Sequence, residues 1–171
     1  MKKIIYIFIF LLLSGCALLD NKEPIHAEIY QYGLYENIGE YFTEDAKSIP
    51  SGKTGRSTEG VKFVRQTDKI PLFLGVHFGY DFRIYGLKGK SVILKCVVTH
   101  PPIRRYDGEI QTSFEYKKSF EIIDGVVDDG ADYYVNHEYE LVPGKWTRSY
   151  FYNGKRILYK EFDVSSKYNM F

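Results

Sequence analysis

The chain has 171 residues, 20.0 kDa, 44% hydrophobic and 17% aromatic side chains, which is material for one compact domain and not for several. Its 23 Lys+Arg against 22 Asp+Glu give a formal charge of +1, so composition offers no basic excess of the kind that nucleic-acid binders carry. The dense aromatic and β-branched content also excludes disorder, because it can bury enough apolar area to offset chain entropy.

Met1-Lys2-Lys3 opens a run of apolar residues, 4–13, which leads into Leu13-Ser14-Gly15-Cys16. At about 1.5 Å rise per residue this run covers only about half of a roughly 30 Å hydrocarbon core, so it reads as the core of a signal peptide and not as a membrane span. The tetrapeptide resembles a bacterial lipobox, in which the thiol of the new N-terminal residue carries a thioether-linked diacylglyceride. Cys16 is therefore the expected lipidation site, residues 1–15 the removed leader, and residues 16–24 the tether.

Two consequences are expected. Lys2 and Lys3 leave with the leader, so 21 basic side chains face 22 acidic ones and the mature charge is near −1. Cys16 is consumed by lipid, which leaves Cys96 without an internal disulfide partner. Two or three acyl chains, at about 0.8 kcal/mol per buried CH₂, hold a protein on a membrane durably. Ala17 stands where an aspartate tends to retain lipoproteins at the inner membrane. That resemblance favours the outer membrane, facing the periplasm, in an organism with two membranes.

Downstream no 20–50-residue repeat is visible, and period-2 alternation replaces helical periodicity. A first strand is expected over residues 27–35. The polar segment 37–60, with four glycines and Pro50, is expected to be a loop, functional or disordered, and is the first place to look for a partner. A short strand follows at 61–66. Residues 72–85 alternate as one long strand with Leu72, Leu74, Val76, Phe78, Tyr80, Phe82 and Ile84 on one face and a bend at Gly75 or Gly79. Val92, Leu94, Cys96 and Val98 share a face of the next strand, which Thr99-His100-Pro101-Pro102 is expected to end.

Phe114, Tyr116, Phe120 and Ile122 make a further half-buried set interrupted by Lys118, and Tyr133, Val135, His137, Tyr139 and Leu141 another. Strands at 145–152 and 155–164 flank Asn153-Gly154, a type I′ hairpin signal. Seven or eight such strands predict an all-β, immunoglobulin-like antiparallel β-sandwich over residues 25–164, with a closed barrel as the alternative. Residues 165–171 read as a frayed tail.

Candidate chemistry is sparse. Gly52-Lys53-Thr54 fails as a phosphate loop, since Lys47 occupies the first glycine position. His26, His77, His100 and His137 sit on four different expected elements, outside metal-binding spacings. Cys96 lies between Leu94 and Val98 as a small hydrophobe. There is no Gly-x-Ser-x-Gly. Asp128-Asp129 and Glu44-Asp45 read as solvated loop carboxylates. The sixteen tyrosines and Trp146 suit half-buried strands; a cluster at Tyr30, Tyr32 and Tyr35, or around Tyr134, would be needed for a stacking platform.

Several ordered motifs together resemble a family of bacterial proteins known only as a domain of unknown function. They are Tyr32-Gly33-Leu34-Tyr35, Thr67-Asp68-Lys69-Ile70-Pro71 leading to Gly75-Val76-His77-Phe78-Gly79, Val98-Thr99-His100-Pro101-Pro102, Glu140-Leu141-Val142-Pro143-Gly144-Lys145-Trp146, and the Asn153-Gly154 hairpin ending in Phe162-Asp163-Val164. The resemblance implies a compact β-sandwich-like module and no activity, cofactor or catalytic residue. One departure is Arg148, a charge where such strands offer an apolar side chain. It either snorkels or pairs at the edge, or the inward face is one residue out.

The expected function is a lipid-anchored, non-enzymatic binding or scaffold module for another envelope protein or polymer, without cofactor, metal or nucleic acid. His100, Tyr30, Tyr32 and Tyr35 are the candidate ligand or partner surface. The alternatives are an envelope hydrolase or metal-dependent enzyme using His77, His100 or His137, and a sugar or peptidoglycan binder presenting tyrosines in a concave patch.

Overall fold

The structure, a computed structural model, describes residues 24–47, 49, 52–105 and 107–168. The expected leader, the expected lipobox and Cys16 lie outside the described residues. Among these residues eleven strands follow in chain order: β1 (His26–Asn37), β2 (Tyr41–Asp45), β3 (Lys53–Ser57), β4 (Val61–Gln66), β5 (Lys69–Pro71), β6 (His77–Tyr85), β7 (Ser91–Arg104), β8 (Ile110–Glu121), β9 (Val126–Tyr134), β10 (Gly144–Tyr152) and β11 (Lys155–Ser165). One sheet has the order β4-β1-β6-β9 and the other β5-β11-β10-β7-β8, with β2 and β3 as a separate hairpin. The pairing is antiparallel except between β5 and β11. Two separate sheets, not a closed ring of strands, make the expected immunoglobulin-like sandwich.

Alternating apolar residues supply its core. Phe78, Tyr80, Phe82 and Ile84 of β6 face Leu94, Cys96 and Val98 of β7, Trp146 and Tyr150 of β10, and Leu158, Phe162 and Val164 of β11. Their rings meet edge-on or tilted, as with Phe78 and Trp146 at 5.9 Å and 89°, the arrangement that ring quadrupoles favour. Asn153 and Gly154 have φ of 47° and 78°, as a two-residue hairpin turn of this hand requires.

Several elements differ from the expectation. Residues 72–76 form a turn, with Gly75 at φ 84°, and Leu74 is exposed, so β6 begins only at His77. The strand β7 runs through Pro101-Pro102 to Arg104. Its register with β8 jumps from Thr99↔Ser113 to Ile103↔Gln111, so the prolines sit where no ladder bond is lost. Asp128 and Asp129 belong to β9, which the sequence reading missed, and the chain leaves the sheet after Tyr134 for a single 3₁₀ turn, Glu138–Glu140.

The 37–60 segment contains the β2–β3 hairpin. The described part of the tail is held rather than frayed, with the Tyr168 hydroxyl donating to Asp163 at 2.6 Å. A register shift in β1 between Ile29 and Gln31 puts Ala27 and Ile29 before it, and Tyr32 and Leu34 after it, against the core.

Candidate functional site

The sandwich leaves its β8 and β9 edges opposite each other. Lys118, on the inward side of β8, reaches across to Asp129 at 3.0 Å. The β2–β3 hairpin folds over the far end of β9, where the Tyr41 ring stands 4.4 Å from that of Tyr134 and the Asn136 amide donates to the Tyr41 hydroxyl at 3.4 Å. Gly55 permits this. Tyr41 lies so close over it that a Cβ would meet the phenol oxygen at 2.1 Å. Between hairpin and strand edges lies a cleft of about 680 Å³, within the usual range for small-molecule sites.

The outer wall carries His77, whose Nε2 is 2.8 Å from the Asp132 carboxylate, and Asp81, which accepts from Gln31 at 2.7 Å. Burial pushes the Asp81 carboxyl up against the lowering effect of its hydrogen bonds. Burial acts the same way on Asp132, but His77 and the charges of Arg148 and Lys118 outweigh it and hold that carboxyl below its ordinary value.

Deeper in, Glu140 is fully buried. It accepts the Asn136 and His137 N–H groups, each at 2.9 Å, and the Tyr133 hydroxyl. Burial raises its pKa despite these bonds, and burial also raises that of Tyr133. Arg148, Tyr116 and Tyr150 close the inner end. The arrangement supplies aromatic faces, hydrogen-bond donors and charges of both signs, which is equipment for binding. The remaining nitrogen of His77, Nδ1, is buried with no hydrogen-bond partner.

The residues proposed from sequence do not meet here. Tyr30 is exposed, donates to Asp128 at 2.9 Å and lies under the Arg83 guanidinium at 4.5 Å. Partial burial and the Asp128 bond push its phenol up to about 12. Tyr32 turns inward beneath Lys160 Nζ at 3.3 Å, and Tyr35 is buried against Phe63. The register shift in β1 separates Tyr30 from Tyr32, and Tyr35, three residues after Tyr32, falls on the opposite face by strand alternation.

His100 is 5% exposed, packed 5.1 Å from Trp146, with Nδ1 donating to the Pro101 carbonyl at 2.8 Å. Burial lowers its pKa in spite of that bond, so the ring is neutral packing material rather than surface. His26 stacks on Tyr85 and His137 on Tyr139, far along the chain from His77. Among the described residues no three His, Cys, Asp or Glu side chains are grouped to hold a metal ion. Cys96 is a free thiol buried in the core.

Asp132, Tyr41 and Glu140 were missed as site residues. For Tyr41 a signal existed, since Asp45 and Lys53, which pair across the hairpin, carry opposite charges at the ends of two short runs containing Tyr41-Phe42-Thr43 and Thr54.

Fold and cleft together define an immunoglobulin-like sandwich with one open, roofed edge. The crystal structure of an immunoglobulin-like protein from Pseudomonas aeruginosa is similar over 85% of this chain and 99% of that one, with a TM-score of 0.60 and 21% identity. The chain belongs to a family described as a domain of unknown function, DUF3859, whose model matches residues 23–164. A DNA-bound alkylpurine DNA glycosylase from Pseudomonas fluorescens matches 57% of this chain and 27% of its own at a TM-score of 0.40 and 16% identity, too remote to carry an argument. No curated protein matches the sequence.

Proposed function

We propose that the protein is a lipid-anchored, non-enzymatic module of the bacterial envelope that captures another envelope protein or polymer in the cleft beneath the β2–β3 hairpin. The observation that supports capture is the cleft itself: about 680 Å³, open to solvent, lined by the mutually tilted rings of Tyr41 and Tyr134 and by buried polar groups. The fold and family fit a module without catalytic machinery.

Anchoring rests on the basic start, the apolar run 4–13 and Leu13-Ser14-Gly15-Cys16; Ala17 favours the outer membrane where there are two. Cys16→Ser is expected to move the protein from the membrane to the soluble fraction of lysed cells. A variant that still sediments with membranes overturns the anchor. For capture, a photo-crosslinking amino acid at Tyr41 in intact cells is expected to yield discrete adducts, and the same group at Ile93, exposed on the outer face of the other sheet, is not. Equal labelling from both positions overturns the cleft.

A further inference from the structure

The five-stranded sheet turns three cations toward the sandwich interior: Lys118, Arg148 and Lys160. Lys118 has Asp129 for a partner. Arg148 and Lys160 stand directly opposite one another across β10 and β11, a pairing in which like charges repel. Lys160 spreads its charge over the faces of Tyr32, at 3.3 Å, and Phe162.

Arg148 has no such relief. It is 9% exposed and packed among the phenols of Tyr80, Tyr116 and Tyr150 and the Cys96 side chain; Asp132 feels its charge, but among the described residues no ion pair joins a carboxylate to it. A guanidinium stays charged at any ordinary pH, so a buried one whose acidic neighbour, Asp132, is already paired with His77 and forms no ion pair with it is costly. The Tyr80 hydroxyl beside it is likewise buried without a hydrogen-bond partner. Arg148 lines both a void of about 20 Å³, shared with Tyr80, and the inner end of the large cleft, shared with Tyr116 and Tyr150.

We propose that the inner end of the cleft is a carboxylate-binding site, with Arg148 as its anchor and the Tyr116 and Tyr150 hydroxyls as further donors. The guanidinium fork matches a planar carboxylate in bidentate fashion. Asp132 and Glu140 line the same cleft, and their charges select a monoanion over a dianion such as phosphate. Phe114 and Tyr133 offer an apolar lining, so the ligand is a monocarboxylate with an apolar or aromatic body. This rests on the cleft being the capture site and names the chemistry it recognises.

Benzoate, titrated calorimetrically into the full mature chain in detergent, is expected to bind saturably and to quench Trp146, the single tryptophan, which borders the void beside Arg148. Inorganic phosphate at matched ionic strength is expected not to compete. Arg148→Met keeps the apolar stem and is expected to weaken benzoate about ten- to a hundred-fold, the equivalent of losing a charge-assisted bond, while the protein stays folded.

Should the methionine variant fail to fold, Arg148→Lys retains the charge without the fork and is expected to weaken binding in the same direction. Absence of saturable binding, equal competition by phosphate, or binding unchanged in the Arg148 variants overturns the site and makes Arg148 a solvent-satisfied structural residue. If benzoate fails while the Tyr41 crosslinks persist, the carboxylate assignment falls alone; if both fail, the cleft falls with it.

Discussion

Trp146→Ala is expected to lower the stability of the domain by about 3–5 kcal/mol and its melting temperature by about 10–15 °C. Trp146 is 2% exposed and bridges both sheets. Its ring is 5.9 Å from Phe78 and 4.8 Å from Tyr133 on one sheet, and it packs against His100 of the other, while the indole N–H donates to the Val142 carbonyl at 3.3 Å. Truncation opens a cavity where the layers meet and leaves that carbonyl without its donor. Thermal and denaturant unfolding measure the loss. A melting temperature within about 3 °C of the parent would show that the sandwich collapses around the gap and that Trp146 is not its central wedge.

Glu140→Ala is the other large effect, about 3–6 kcal/mol, because it strands three donors at once: the Tyr133 hydroxyl and the N–H groups of Asn136 and His137. These bonds fix the turn that carries the chain from the end of β9 to the start of β10, and so the base of the cleft. Glu140→Gln keeps an acceptor oxygen and is expected to cost about 1 kcal/mol.

Burial raises the folded carboxyl above its ordinary 4.5, so between that value and the folded pKa the unfolded chain gives up its proton first. This group's contribution is fully present below pH 4.5 and declines as pH rises through the folded pKa. The glutamine variant lacks that slope. A pH-independent difference between wild type and Glu140→Gln would show that the carboxyl is ionised alike in both states.

The sandwich was legible because burial on one face imposes a period of two. That signal marked Leu94, Cys96 and Val98, the Phe162–Val164 end of β11, and the positive-φ hairpin at Asn153-Gly154. It failed where a local irregularity breaks the count. The β1 register shift separates Tyr30 from Tyr32, and the turn at 72–76 cuts an apparent long strand in two. The β9 strand is an edge strand in which Asp128 and Asp132 meet Arg83 and His77 on the outer side and Asp129 meets Lys118 on the inner side, so its residues look like a loop.

The cleft was less legible. The composition of the 37–60 segment marks it as unusual, but the meeting of Tyr41 with Tyr134 depends on a contact between residues far apart in the chain, and the burial of Glu140 on a turn that strand periodicity does not describe. In the sequence Arg148 is a charge within an otherwise apolar alternation. Its inward direction is settled by pairing with Val98 and Lys160 on either side.

The parallel contact of β5 with β11 sets an order of events in folding. Lys69, Ile70 and Pro71 align with Asp163, Val164 and Ser165, with five strands and one turn between them along the chain. The last of the eleven described strands therefore lies inside its sheet, between β5 and β10, rather than at an edge. A chain emerging from a ribosome can form the β7–β8 and β1–β6 pairs early, but the five-stranded layer stays open until Phe162 and Val164 arrive. Closure across so long a loop is slow, and the waiting intermediate exposes the inner face of half a sandwich.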